Sequence, residues 1–239
     1  MGRAFEVRKA AMAKTADAKA KVYSRYGKEI YIAAKNGVPD PEMNVALKRV
    51  IDKAKANQVP ADVIKRAVEK AKGAGGENYE SVRYEGFGPG SSTVIVDCLT
   101  DNTNRTYAEV RNCFTKSKAK LGAINSVSFM YDNLGILSFA YDDEEKILEV
   151  LIEADVDVTE LEVEDGMMSV YVAPTDLYKA KEAIEAALGE VNFEVLEISM
   201  LPKEYVTLDG EDVDMFHRLT SMLDQVDDVQ QVYHNVTGL

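Results

Sequence analysis

A chain of 239 residues with a net charge of −13, 46% hydrophobic and 29% charged residues has the composition of a folded globular protein, which excludes a disordered or fibrous one. No apolar run reaches the roughly 18 residues of a membrane span, and the basic start (Arg3, Arg8, Lys9, Lys14) leads into no apolar stretch, so no secretory signal is expected. The two cysteines, Cys98 and Cys113, and the two histidines, His217 and His234, form neither a C-x-x-C pair nor a zinc set; buried thiols in a reducing cytoplasm are expected, with no metal and no cofactor.

The first 75 residues read as helices. Residues 10–23 are rich in alanine and lysine, strong helix formers. A helix over 29–36 follows Gly27, with Ile30, Ala33 and Ala34 on one face and Gly37 as its stop. After the turn Val38-Pro39-Asp40-Pro41, Met43, Leu47, Val50 and Ile51 stripe a helix over 43–56. Val59-Pro60 opens another, with Val63, Ile64, Ala67, Val68 and Ala71 on its buried side. The run Gly73-Ala74-Gly75-Gly76 reads as a linker.

Beyond the linker the period falls from 3.6 to 2. A strand is expected over 92–99. Thr106 and Glu109 fit a capping box ahead of a helix carrying Val110, Cys113 and Phe114, and a strand is expected over 127–131. Then come a strand (135–141), a helix (144–154), a hairpin (159–163 and 168–172) around Asp165-Gly166, a helix (176–188) and a strand (193–200). This is the ferredoxin-like order β-α-β-β-α-β. A strand over 205–208, a helix with Met215, Leu219, Met222 and Val226 in its stripe, and a strand over 229–236 end the chain. The expected fold is α+β in three domains: a basic helical bundle (1–75), a split ferredoxin-like domain (80–131 and 201–239), and an acidic ferredoxin-like domain inserted within it (132–200).

Charge is distributed unevenly. Residues 1–75 hold 17 Lys+Arg against 8 Asp+Glu, residues 76–130 hold 6 of each, and residues 131–239 hold 5 against 27. The net values of +9 and −22 at the two ends point to a polyanion-binding end and a self-repelling, soluble one. Clustered Lys/Arg release condensed counterions on meeting phosphates. The candidate contacts are therefore Arg3, Arg8, Lys9, Lys14, Lys21, Arg25, Lys48, Arg49, Lys65 and Arg66, with Phe5, Tyr23, Tyr26 and Tyr31 among them. A solvated helix face is the competing reading. No helix-turn-helix signature is evident, so the pattern indicates polyanion binding rather than base-specific reading of a duplex.

Arg105 is a further candidate, because a cation near a helix N-terminus opposes the dipole and asks for another reason to be there. Gly86-Phe87-Gly88-Pro89-Gly90 lacks the Gly-Lys-Ser/Thr ending of a phosphate loop and reads as a turn, with a recognition loop as the alternative. Asp142, Asp143, Glu144 and Glu145 sit at a helix start, where capping is expected rather than metal binding. No nucleophile–base constellation stands out, so the chain is not expected to be an enzyme.

Several motifs carry a family resemblance. They are 84–90 (Tyr84-Glu85-Gly86-Phe87-Gly88-Pro89-Gly90), 101–106 (Asp101-Asn102-Thr103-Asn104-Arg105-Thr106), 121–123, 126–129, and 232–236 (Val232-Tyr233-His234-Asn235-Val236). With Lys28-Glu29-Ile30 and Pro39-Asp40-Pro41-Glu42-Met43-Asn44, they resemble the YebC/PmpR family along the whole chain. The start, Gly2-Arg3-Ala4-Phe5-Glu6-Val7-Arg8-Lys9, is more similar to the YeeN-like branch, although the tryptophan expected there is Phe5. The resemblance implies a helical N-terminal domain followed by two α+β domains, and marks Tyr84, Gly86, Gly88, Pro89, Asn102, Asn104 and Arg105 as motif residues. It also implies a probable transcriptional regulatory protein that binds DNA, or a translational activator contacting ribosomal RNA and the ribosome. A protein-interaction module, with the ferredoxin-like sheets as docking surfaces, is the third reading; the acidic C-terminal region is a candidate surface for the ribosome or other proteins.

Overall fold

The computed structural model describes residues 19–73, 76 and 78–238. The described chain forms seven helices and two antiparallel four-stranded sheets, the α+β class expected. Its described residues divide into two compact units, one built from residues 128–207 and 235–238, the other from residues 19–127 and 208–234.

In the second unit, α1 (Lys19–Lys35), α2 (Val45–Ala56) and α3 (Ala61–Lys72) make the helical bundle. From Lys19 onward the two helices expected before Gly37 are one, running through Gly27; residues 10–18 of the first lie outside the described residues. Mid-helix glycine costs about 1 kcal/mol relative to alanine. Burial of Tyr26, Ile30, Tyr31 and Ala34 on the same helix outweighs it. Tyr26, Ile30 and Ala34 meet Leu47, Ile51 and Ala54 of α2, and Ile64 and Ala67 of α3. Asn44 fixes the α1–α2 corner: its Oδ1 accepts the Leu47 amide (3.0 Å), while its Nδ2 donates to the Ala33 and Val38 carbonyls (2.9 Å each).

The same unit contains a sheet of β1 (Glu80–Phe87), β2 (Thr93–Thr100), β3 (Lys120–Leu121) and β8 (Val229–His234), in the order β3-β1-β2-β8. α4 (Thr103–Lys116) and α7 (Gly210–Asp224) accompany it, burying Val110, Cys113 and Phe114 of α4 and Phe216, Leu219 and Leu223 of α7. Three expectations are corrected here. Residues 127–131 are not a strand: Ser128–Met130 is a short 3-10 turn, and Tyr131 already begins another strand. Residues 205–208 contribute only one isolated bridge, Val206 to Val236, within the other unit. β1, which the sequence reading passed over, is instead a full strand. It occupies the place in the sheet that a later strand fills in the ferredoxin-like order. Local closure explains this. The Gly88 amide donates to the Ser92 carbonyl (2.9 Å), Gly90 takes φ +62°, and β1 and β2 zip as a hairpin with Arg83 opposite Asp97. Their side chains pair bidentately across the strands at 2.6 and 2.8 Å.

The first unit contains β4 (Tyr131–Ala140), α5 (Glu144–Glu153), β5 (Val158–Glu164), β6 (Met167–Val172), α6 (Leu177–Leu188) and β7 (Phe193–Pro202). Its sheet order, β5-β6-β4-β7, with every pair antiparallel, is the ferredoxin-like arrangement. The core joins Leu137, Phe139, Met168 and Val170 of the sheet to Ile147 and Leu151 of α5 and Ala180 and Ile184 of α6. Asp165 (φ +55°) and Gly166 (φ +76°) form the hairpin turn their sequence indicated. Asp143 caps α5, its Oδ1 accepting the Lys146 amide at 3.1 Å, the role assigned to that acidic run.

Candidate nucleic-acid interface

The basic helices present their cations unequally. Lys48 and Arg49 on α2, and Lys65 and Arg66 on α3, project from exposed positions. Among the described residues, the carboxylate paired with Lys48 is the distant Glu42, at 4.0 Å. Arg66 pairs with Asp62 one turn back at 2.7 Å, with both side chains about 70% exposed, so solvent weakens the pair. Lys21 and Arg25 on α1 are half-buried, and Lys21 is tied to Asp224 at the end of α7. Arg25 lies beside Glu29, whose carboxyl is pushed up by burial against the opposing pull of Lys53 and Arg25. Arg3, Arg8, Lys9 and Lys14 lie outside the described residues, as do Ala74 and Gly75 of the expected linker.

Arg105 belongs to a different construction. Asn102, not Thr106, caps α4, its side chain accepting the Arg105 amide at 3.1 Å. The expected capping box therefore does not form: Thr106 is inside the helix and fully buried. Its hydroxyl lies 2.8 Å from Asp228 Oδ2, and the Thr100 hydroxyl lies 2.9 Å from the same oxygen. Arg105 Nη2 donates to Asp228 Oδ2 at 2.6 Å and to Asp101 at 2.8 Å, while Lys28 Nζ from α1 donates to Asp228 Oδ1 at 2.9 Å. Asp228 is 4% exposed at its side chain, Lys28 14% and Arg105 44%. Burial alone would raise the Asp228 carboxyl. Hydrogen bonds from Arg105, Lys28, Thr106 and Thr100 win, holding it well below the usual carboxylate range. The same pairing holds the Arg105 guanidinium charged. The two carboxylates thus compensate the cation that the helix dipole disfavours. Sequence reasoning missed Asp228 and Lys28 because their partners lie about 120 and 200 residues away.

The motif glycines are largely dictated by space. A Cβ on Gly86 would sit 2.7 Å from the Lys120 carbonyl and closer still to the Phe114 ring. Gly88 and Pro89 form the β1–β2 turn, where the Pro89 carbonyl accepts from the Ser92 amide and hydroxyl. The Tyr84 hydroxyl donates to the Thr103 carbonyl at 3.4 Å. Asn104 is exposed on the first turn of α4. Both cysteines are buried, and burial pushes the Cys98 thiol up to about 12 and raises Cys113, so both are held as unreactive thiols.

Residues 3–74 match the model described as the TACO1/YebC protein N-terminal domain, and residues 79–236 the one described as the TACO1/YebC second and third domain. The chain belongs to the TACO1/YebC family. A relative from Alteromonas mediterranea is 57% identical over 98% of both chains, and one from Alcanivorax borkumensis 53% identical over 99% of both. Both are named probable transcriptional regulatory proteins. A solved structure, a conserved hypothetical protein from Aquifex aeolicus, is 34% identical and covers 94% of this chain and 93% of its own, with a TM-score of 0.76. For this TACO1/YebC chain, no described helix is long and apolar enough to cross a membrane.

Proposed function

We propose that the protein is a non-enzymatic cytoplasmic regulator of gene expression that holds nucleic acid through its basic helical region. The observation that carries this reading is the split of charge, +9 over residues 1–75 against −22 over residues 131–239. It is joined by the exposed placement of Lys48, Arg49, Lys65 and Arg66. Clustered cations of this kind gain affinity by releasing counterions from a phosphate backbone, whatever its sequence. The names of the relatives favour DNA at regulated genes as the target.

The acidic half favours a second reading. Isolated DNA offers 27 carboxylates nothing but repulsion, whereas a ribosome presents basic proteins beside its RNA. A translational activator bound to ribosomal RNA would use both halves. Ultraviolet crosslinking in growing cells, followed by sequencing of the attached nucleic acid, separates the two. Reads at a few promoters establish the regulator, and reads in ribosomal RNA establish the translation factor. Charge reversal of Lys48, Arg49, Lys65 and Arg66 to glutamate should abolish either. Binding that survives all four changes refutes the placement of the interface.

A further inference from the structure

A cavity of about 440 Å³ opens between α1 and α3, lined in part by Tyr23, Gly27, Lys28, Arg66, Lys70 and Tyr79. This is the size range of sites that enclose a small ligand or one unit of a polymer. Among the described residues, no carboxylate lines it. Its aromatic and cationic groups interleave. The Tyr79 ring stands edge-on to Tyr31 with centroids 5.8 Å apart and the planes at 80°. Lys28 Nζ lies 5.7 Å from the Tyr79 ring, and Lys35 and Lys70 lie 5.4 and 5.5 Å from the Tyr31 ring. Tyr31 is buried and forms the back wall, while Tyr23 and Tyr79 keep part of their surface open.

Gly27 supplies the second observation. It occupies the interior of α1 without a positive φ. A Cβ there would meet nothing within 4 Å among the described residues. Among the described residues, neither turn geometry nor close packing accounts for a residue that weakens the helix. A bare stretch of helix backbone at the cavity floor does have a use if something flat lies against it.

A neighbouring cavity of about 630 Å³ shares Ser24, Lys28 and Tyr79 with this one, but there the walls include Asp101, Glu109, Asp227 and Asp228. These four carboxylates outnumber the Arg105 and Lys28 cations that also line it, so that end is net acidic and phosphate is favoured at the other, where Arg66 and Lys70 stand. The groove has a cationic rim, an aromatic interior and a polar, acid-lined far end.

We infer that the α1–α3 groove is a seat for an unpaired base of a single-stranded nucleic acid, with Tyr23 and Tyr79 as stacking surfaces, the Gly27 backbone as floor, and Arg66 and Lys70 on the adjacent phosphates. The inference rests on the nucleic-acid reading above and specifies the form of polymer. A duplex keeps its base faces stacked and presents only edges and phosphates, which cannot enter such a cavity. A single strand offers a face for stacking and a charge for the rim together.

The test uses the full-length protein and fluorescein-labelled oligouridine and oligothymidine decamers, with a duplex of mixed sequence for comparison. Fluorescence anisotropy is followed as salt is raised. Tyr79→Ala should weaken decamer binding roughly 5- to 150-fold, the range lost with one stacking aromatic. It should leave duplex binding and the salt dependence unchanged. Gly27→Leu fills the groove while favouring the helix, so it should do the same even if Tyr79→Ala perturbs the fold. Lys48→Glu with Arg49→Glu should weaken decamer and duplex alike. Tighter binding of oligouridine or of oligothymidine identifies the strand as RNA or DNA, and either supports the site. If both groove variants bind decamers like the parent while the Lys48/Arg49 variant loses binding, the groove is overturned and the nucleic-acid reading stands. If no oligonucleotide binds the parent protein, both fall.

Discussion

Replacing Asp228 tests whether its carboxylate, rather than the packing around it, joins α1 to the β2–α4 corner. Its two oxygens receive Arg105, Lys28 and the hydroxyls of Thr100 and Thr106, all within 2.9 Å. Removing one partner of a buried ion pair costs about 3–5 kcal/mol, mostly from the charges left behind. Here those charges are Lys28, 14% exposed, and Arg105, 44% exposed, which regain water in part. Asp228→Ala should therefore fall at the low end, about 3 kcal/mol. For a chain of this size that lowers the melting temperature by roughly 6–12 °C. Asp228→Asn keeps the volume and one acceptor, and should lose about 2 kcal/mol. Thermal unfolding followed by circular dichroism at pH 7 measures both. The pH dependence supplies an independent check. A carboxyl depressed in the folded state contributes fully above its unfolded value, near 3.9, and the contribution is lost as pH falls towards the folded value. The gap between parent and Asp228→Asn should stay constant from pH 7 to 5 and narrow below about 4. An Asp228→Asn protein that melts within 1 °C of the parent, or a gap that does not narrow in acid, would refute the reasoning.

Gly86→Ala should destabilise by about 1–3 kcal/mol, because the added methyl meets the Lys120 carbonyl and the buried Phe114 ring; chemical denaturation should show a lower midpoint at unchanged slope. Glu29→Gln should raise stability at pH 7, since burial pushes this carboxyl up and its charge is a burden in the folded state; parent and variant should converge as pH falls through the ordinary carboxylate range, and a variant less stable at pH 7 contradicts the assignment.

The chain's amphipathic stripes made the helices legible. Leu47 and Ile51 on α2, and Ile64 and Ala67 on α3, face the core where their spacing placed them. The Asp165-Gly166 turn and the alternating runs beside it likewise located the inserted sheet. Propensity and period act over a few residues, so a sequence displays them directly. β1 escaped because it carries Glu85, a carboxylate buried under the 122–127 loop, whose oxygens accept the Asn125 and Val127 amides at 3.0 and 2.8 Å. A charged residue satisfied by distant backbone looks like a surface residue until the partner loop is known. The same limit governed the candidate site. Charge counting over residues 1–75 marked the basic end correctly as basic, but it could not distinguish Arg66, at the rim of a groove, from Lys21, tied to Asp224. Nor could it show that Arg105 faces Asp228, 123 residues further on. Local periodicity and composition thus determined the elements and the sign of each region. Only the tertiary structure decided which charges are neutralised by partners and which remain exposed, because an ion pair depends on distances of a few ångströms between residues that the chain keeps far apart.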